Sequence, residues 1–197
     1  AKRIMFGKTL NAGQICLAPD YVVVHKDQKD EFIKETKDAV SHYYPSLKDN
    51  EDYTSVINQK HYDRLKDLLD DAIEKGAHVD EINPSNEDFS QQEFYKIPPT
   101  IVTNTSDDMK IMQEEIFGPL LPVLEYDEIG EATALINSKD KPLGLYYFGN
   151  NTAEENDLLN KTSSGGVTVN NVISHLQQND LSFGGVGPSG MGRYKSF

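Results

Sequence analysis

The sequence has one cysteine and no tryptophan among its 197 residues. A single thiol, Cys16, excludes an internal disulfide framework. Cations are scarce too: 19 lysines and arginines face 32 aspartates and glutamates, a formal net charge of −13. Partners with a phosphate backbone are bound through clustered cations that release counterions, so this balance argues against nucleic acid and against anionic membranes. No apolar run approaches the roughly 18 residues of a membrane span, and the N-terminus lacks the pattern of a signal peptide. The chain is therefore expected to be cytoplasmic. Its five histidines, at 25, 42, 61, 78 and 175, are scattered, and no histidine or cysteine pair has ligand spacing, so no metal is expected. Repeats, low-complexity tracts and interior linkers are absent as well, and one domain over residues 1–197 is expected.

What is present is an alternation of strand and helix patterns. Arg3 to Leu10 read as a short helix that Gly13 and Pro19 stop, and Tyr21 to Val24 read as a buried β-branched strand. Phe32, Thr36, Ala39, Val40 and Tyr43 recur at helical spacing. Tyr62, Leu65, Leu68, Leu69, Ala72 and Ile73 form a clearer helical stripe that ends at Gly76. Asn83 to Gln92 are turn-rich, Thr100 to Thr103 extended, Asp107 to Phe117 compatible with a brief helix, and Leu120 to Tyr126 a strand. A further helical stripe runs from Ile129 to Ile136, followed by a strand at Leu143 to Phe148, a helix at Ala153 to Lys161 and a strand at Val167 to Val169. This order predicts an α/β fold with a largely parallel sheet and helices on both faces.

Three segments carry chemistry. In Asn11-Ala12-Gly13-Gln14-Ile15-Cys16 the cysteine falls in a loop, where a thiol can be exposed and a few per cent thiolate is present at neutral pH. Taken alone, a cysteine is more often a small buried hydrophobe. Gln113 to Pro119 set a carboxylate and an aromatic ring beside a rigid Gly-Pro turn. Read blandly, this is a helix end with solvated glutamates. The alternative is a carboxylate that accepts two ribose hydroxyls next to a ring that fixes a planar group. Phe183 to Gly192 are glycine-rich, and Gly185, Gly187 and Gly190 satisfy the G-x-G-x-x-G expression. Pro188 occupies that turn and no clear strand precedes it, so it is read as a tightly folded loop and not as a phosphate-binding turn. His175 lies just before this loop, and its bland reading is a satisfied core or loop histidine.

Together, and in this order, these segments resemble the aldehyde dehydrogenase superfamily over almost the whole chain. Cys16-Leu17-Ala18-Pro19-Asp20-Tyr21 and Gly165-Gly166-Val167-Thr168-Val169-Asn170 further resemble its class 3 branch, which includes the bacterial coniferyl aldehyde dehydrogenases. The resemblance implies that Cys16 is the catalytic nucleophile and that Asn11 and Gln14 shape its loop. It implies that Glu115 and Phe117 contact NAD or NADP, and that Phe183 and His175 border an aldehyde pocket, with Leu10 and Leu17 as further candidates. The implied partners are an aldehyde substrate and a second copy of the protein in a homodimer.

In that family the general base, the oxyanion asparagine and the dinucleotide-binding domain precede the cysteine motif, and only 15 residues precede Cys16 here. The chain is thus expected to be the catalytic domain of a longer protein, neither binding NAD(P) tightly nor turning over aldehyde alone. Two departures stand out: Ser182 where proline is usual, and Arg193-Tyr194 running directly into Lys195-Ser196-Phe197 where the family carries a glycine-containing insert. Two other readings stay open: a noncatalytic interaction module of the same fold, and a semialdehyde or acylating dehydrogenase.

Overall fold

The computed structural model describes residues 1–195, so the tail at Ser196 and Phe197 lies outside the described residues. The chain forms two compact units, one spanning Ala1–Glu125 and the other beginning at Tyr126. Among the described residues no helix is long and apolar enough to cross a membrane.

The first unit runs α1 (Lys2–Thr9), β1 (Val22–His25), α2 (Lys29–Tyr43), α3 (Gln59–Glu74), β2 (His78–Glu81), β3 (Thr100–Thr103) and β4 (Leu120–Tyr126). Its four strands form one sheet in the order β1-β4-β3-β2. β3 and β4 are parallel, with Thr100 opposite Leu120, and β2 pairs antiparallel to β3, with His78 opposite Thr103. β2 escapes a reading by pattern because His78-Val79-Asp80-Glu81 holds one apolar residue, and pairing with β3 makes it a strand. β1 is half-buried along its length, not the buried strand its valines suggest.

Helix α3 shows how the sequence builds the unit. Asn58 caps it by accepting the His61 N–H at 3.0 Å, and it ends at Gly76 in the left-handed region, where the Ala77 N–H reaches back to Ala72 at 2.8 Å. Its buried stripe of Leu65, Leu68, Leu69 and Ala72 joins a core with Val56, Ile97, Val102, Met109, Ile111, Ile116 and Leu120. The helix expected between Asp107 and Phe117 is reduced to a 3-10 turn at Lys110–Met112. Tertiary partners take the backbone groups a helix would need. Asp71 accepts the Lys110 N–H, Asp20 accepts the Ile116 N–H, and Arg64 donates to the carbonyls of Glu115 and Ile116.

The second unit holds α4 (Ile129–Ser138), β5 (Gly144–Tyr147), α5 (Thr152–Lys161) and β6 (Gly166–Val169). β5 and β6 pair in parallel, with Gly144 opposite Gly166, over a small core of Leu145, Tyr147 and Leu158. The glycine-rich loop folds as expected, on itself and without a preceding strand. Ser189 Oγ accepts the Val186 N–H at 2.9 Å, and Phe183 and Tyr194 exchange two backbone hydrogen bonds of 2.8 and 2.9 Å. With two of the three pairings named here parallel, the α/β reading holds, and the mixed sheet of the first unit is the refinement.

Leu65 is fully buried against this core, whereas Ile73 on the same helix is 54% exposed. In the full-length protein Leu65→Ala is expected to lose about 2–5 kcal/mol in urea unfolding, and Ile73→Ala less than about 0.5 kcal/mol. Equal losses would show that α3 does not bury the face assigned to it.

Candidate active site

The loop that carries Cys16 leaves α1 through three successive left-handed residues: Asn11, Ala12 and Gly13, with φ of 52°, 53° and 74°. Such a run costs free energy at each non-glycine residue, so it persists only where neighbours hold it. Gln14 is one such neighbour. Its Nε2 donates to the Asn11 carbonyl at 2.9 Å and to the Ser55 carbonyl at 3.0 Å, while its Oε1 accepts the Ile57 N–H at 2.9 Å. Asn11 closes the other side, its Nδ2 donating to the Gln14 carbonyl at 3.1 Å. These two side chains therefore shape the loop, and neither is spent on solvent.

Gly13 is the second anchor. A Cβ placed on it would strike the carbonyl oxygen of Gly118 and lie 2.7 Å from its carbonyl carbon, with the Lys8 carbonyl oxygen 3.0 Å away. The backbone of the cysteine loop thus lies directly on the turn that follows Phe117. Beyond Gly13, the Ala18 N–H donates to the Ile15 carbonyl at 2.8 Å, and Cys16 stands at the second position of that turn. Its thiol is free and exposed, and its backbone N–H has no acceptor among the described residues. An exposed thiol beside an unengaged N–H is the pairing that a nucleophile and an oxyanion donor require.

Glu115 and Phe117 flank the buried Ile116 on the neighbouring turn. Phe117 sits at φ 48° and is 37% exposed, and the Glu115 carboxylate accepts no hydrogen bond among the described residues. Its carboxyl is raised above the usual range, first by desolvation and then by the Asp20 carboxylate, against Arg64 and Lys8. Two unengaged acceptor oxygens next to an exposed ring fit the ribose hydroxyls and planar ring of a nicotinamide dinucleotide.

Lys8, Asp20 and Arg64 complete this region, and no local motif announces them. Lys8 is only 1% exposed, and burial lowers its ammonium to about 8, against the pull of Asp20 and Glu115. Burial raises Asp20, with Lys8, the Ile116 N–H and Arg64 opposing. Both partners are thus pushed toward their neutral forms: desolvation outweighs their attraction. Lys8 could have been noticed as a charge on the buried face of α1, two turns before the thiol. Arg64 has no such signal, since only the fold carries it to residue 115.

His175 and Phe183 belong to the second unit. The His175 ring is 8% exposed, shares a 2.8 Å hydrogen bond between Nδ1 and Thr168 Oγ1, and stacks on Phe183 with centroids 6.1 Å apart. Nε2 is buried without a partner among the described residues, and burial lowers the ring's affinity for a proton. Leu17 is fully buried in the first unit, so it lines no open pocket, whereas Leu10 is exposed.

The chain matches the aldehyde dehydrogenase family over residues 1–196. It is 57% identical over 197 residues to a probable coniferyl aldehyde dehydrogenase of Caulobacter vibrioides, covering all of this chain and 41% of that protein. The solved structure of Staphylococcus aureus AldH in a substrate-bound state superposes with a TM-score of 0.89 at 39% identity, over 99% of this chain and 41% of its own. The betaine aldehyde dehydrogenase of the same organism, solved with NAD+, gives a TM-score of 0.85 at 26% identity, over 98% of this chain and 39% of its own. The chain thus spans about two fifths of the length of the relatives it matches.

Two outcomes follow from this geometry. Gly13→Ala is expected to destabilise the full-length protein by more than about 2 kcal/mol, because a methyl on a left-handed residue is driven into the Gly118 peptide. Iodoacetamide should then alkylate Cys16 at an altered rate, and an unchanged rate with unchanged stability would show that the loop does not depend on this contact. The second outcome concerns Lys8, whose folded value near 8 lies below its unfolded value near 10.5. The unfolded state therefore binds more protons between those limits, and stability from this group should rise with pH from about 8 to 10.5. Urea unfolding across that window checks it: the Lys8→Met variant should lack this slope.

Proposed function

The chain belongs to the aldehyde dehydrogenase family, and on that premise we propose that the protein containing it oxidises an aldehyde to the carboxylic acid with NAD(P)+. The observation that supports this reading is the exposed Cys16 on a strained loop packed against the Glu115–Phe117 turn.

In this reading the Cys16 thiolate adds to the aldehyde carbonyl carbon and forms a thiohemiacetal, while the unengaged Cys16 N–H donates to the oxygen that gains the charge. Asn11 and Gln14 hold the loop so that the thiol and its own N–H face the same carbonyl. Loss of hydride from the former aldehyde carbon leaves a thioester on Cys16, which water cleaves to release the acid and the thiol. Bound NAD(P)+ supplies the acceptor for that hydride. Glu115 is assigned the ribose hydroxyls and Phe117 the limit on where the nicotinamide can lie. Both are first-unit residues whose chemistry fits, and neither needs to move a proton.

The substrate assigned is an aromatic aldehyde of the coniferyl type, by likeness to the Caulobacter vibrioides relative. Within the second unit, the half-buried Phe183 ring, backed by the buried His175, offers the kind of surface on which an aromatic aldehyde packs. The same reading includes a cytoplasmic homodimer.

The test is aldehyde-dependent formation of NAD(P)H by the full-length protein, followed by absorbance with coniferyl aldehyde as substrate. Cys16→Ala is expected to reduce turnover to below about a thousandth. Full turnover by that variant would remove Cys16 from the mechanism.

A further inference from the structure

Ile116 is buried between the two residues assigned to the cofactor, and its peptide groups are held from both sides. Its N–H donates to Asp20 Oδ1 at 3.0 Å. Its carbonyl accepts from Arg64 Nη2 at 2.5 Å, and the carbonyl of Glu115 accepts from Arg64 Nη1 at 3.2 Å. One guanidinium thus bridges two successive carbonyls, a geometry that a planar fork satisfies and a single ammonium does not. Arg64 comes from α3 and Asp20 from the segment just after Cys16, so two parts of the first unit meet at one residue. The next residue, Phe117, is in the left-handed region at φ 48°, a state that a phenylalanine holds only when its surroundings impose it.

From this we infer that Asp20 and Arg64 are positioning residues for the cofactor-holding turn, acting through the backbone of Ile116 to fix where the Glu115 carboxylate and the Phe117 ring stand. The inference rests on the assignment of Glu115 and Phe117 to NAD(P)+. The fork stops the Glu115–Ile116 and Ile116–Phe117 peptides from rotating, and the Asp20 carboxylate secures the N–H between them. Lys8, on the buried face of α1, opposes the rise that burial imposes on the Asp20 carboxyl. Release of the clamp would let Phe117 relax out of its strained conformation and carry Glu115 with it. The Cys16 loop keeps an anchor outside the clamp, because Gln14 is bound to the Ser55 carbonyl and the Ile57 N–H.

The experiment uses the full-length protein in three readouts. Calorimetry gives the Kd of NAD+ and of NADP+ without turnover. Acylation of Cys16 by p-nitrophenyl acetate, which needs no dinucleotide, reports the nucleophile and the integrity of its loop. Steady-state kinetics give the KM for aldehyde. Arg64→Lys is expected to weaken dinucleotide binding about tenfold, with acylation and aldehyde KM within about twofold of wild type. Asp20→Ala should weaken binding likewise, and Asp20→Asn, whose amide oxygen still accepts the Ile116 N–H, should recover most of that loss.

Unchanged dinucleotide affinity in Arg64→Lys would overturn the inference. So would a parallel loss of acylation and affinity, which marks a merely structural role. If wild-type protein binds neither NAD+ nor NADP+ at millimolar concentration, the functional reading itself fails, and that result is separable from wild-type binding with an indifferent Arg64→Lys.

Discussion

The close passage of two backbones, Gly13 against the Gly118 peptide, is the constraint on which the rest of the first unit's chemistry depends. No side chain fits between them. A glycine at 13 allows both the contact and the left-handed turn, and the contact in turn sets the depth at which the cysteine loop sits on the Glu115–Phe117 turn. Gly118 is itself pressed on Leu65, so α3 forms the floor under both motifs. The strain stored in Asn11, Ala12 and Phe117 is balanced by this packing and by hydrogen bonds from Gln14, Arg64 and Asp20.

Much of this was legible before any coordinates. The stripe of α3 and the helices of the second unit follow from periodicity, and the strands at Thr100–Thr103 and Leu120–Tyr126 from extended, strand-like composition. The cysteine loop and the Glu115–Phe117 turn were both recognisable as separate segments, and so was the false dinucleotide expression around Gly187. What periodicity could not supply was who pairs with whom. β2 is strand only because β3 lies beside it, and residues 113–117 lose their helix because side chains more than forty residues away take their peptide groups. Arg64 in particular sits on the polar side of an amphipathic helix, where its sequence neighbours give it the look of an ordinary surface charge.

Charge is used sparingly and deep. The chain is strongly acidic, yet the charges near Cys16 include two cations, Lys8 and Arg64, and the half-buried carboxylate of Asp20. Burial works against Lys8 and Asp20, so this pair adds little net stability, and what the group fixes is geometry: the N–H and the carbonyl of Ile116 both have partners. Polar contacts of this kind define a turn more sharply than apolar packing, which tolerates small slides.

The Gly13 contact also has a history within each molecule. Its two halves are separated by roughly a hundred residues, and at a synthesis rate of about 5–20 residues per second the floor emerges some 5–20 seconds after the loop it supports. Over the first two fifths of that interval neither Ser55 nor Ile57 is there to hold Gln14, and over all of it Gly118 is missing from beneath the loop. The shaped cysteine loop is therefore assembled late, as a product of long-range closure, and the nascent chain carries the thiol well before it carries the turn that supports it.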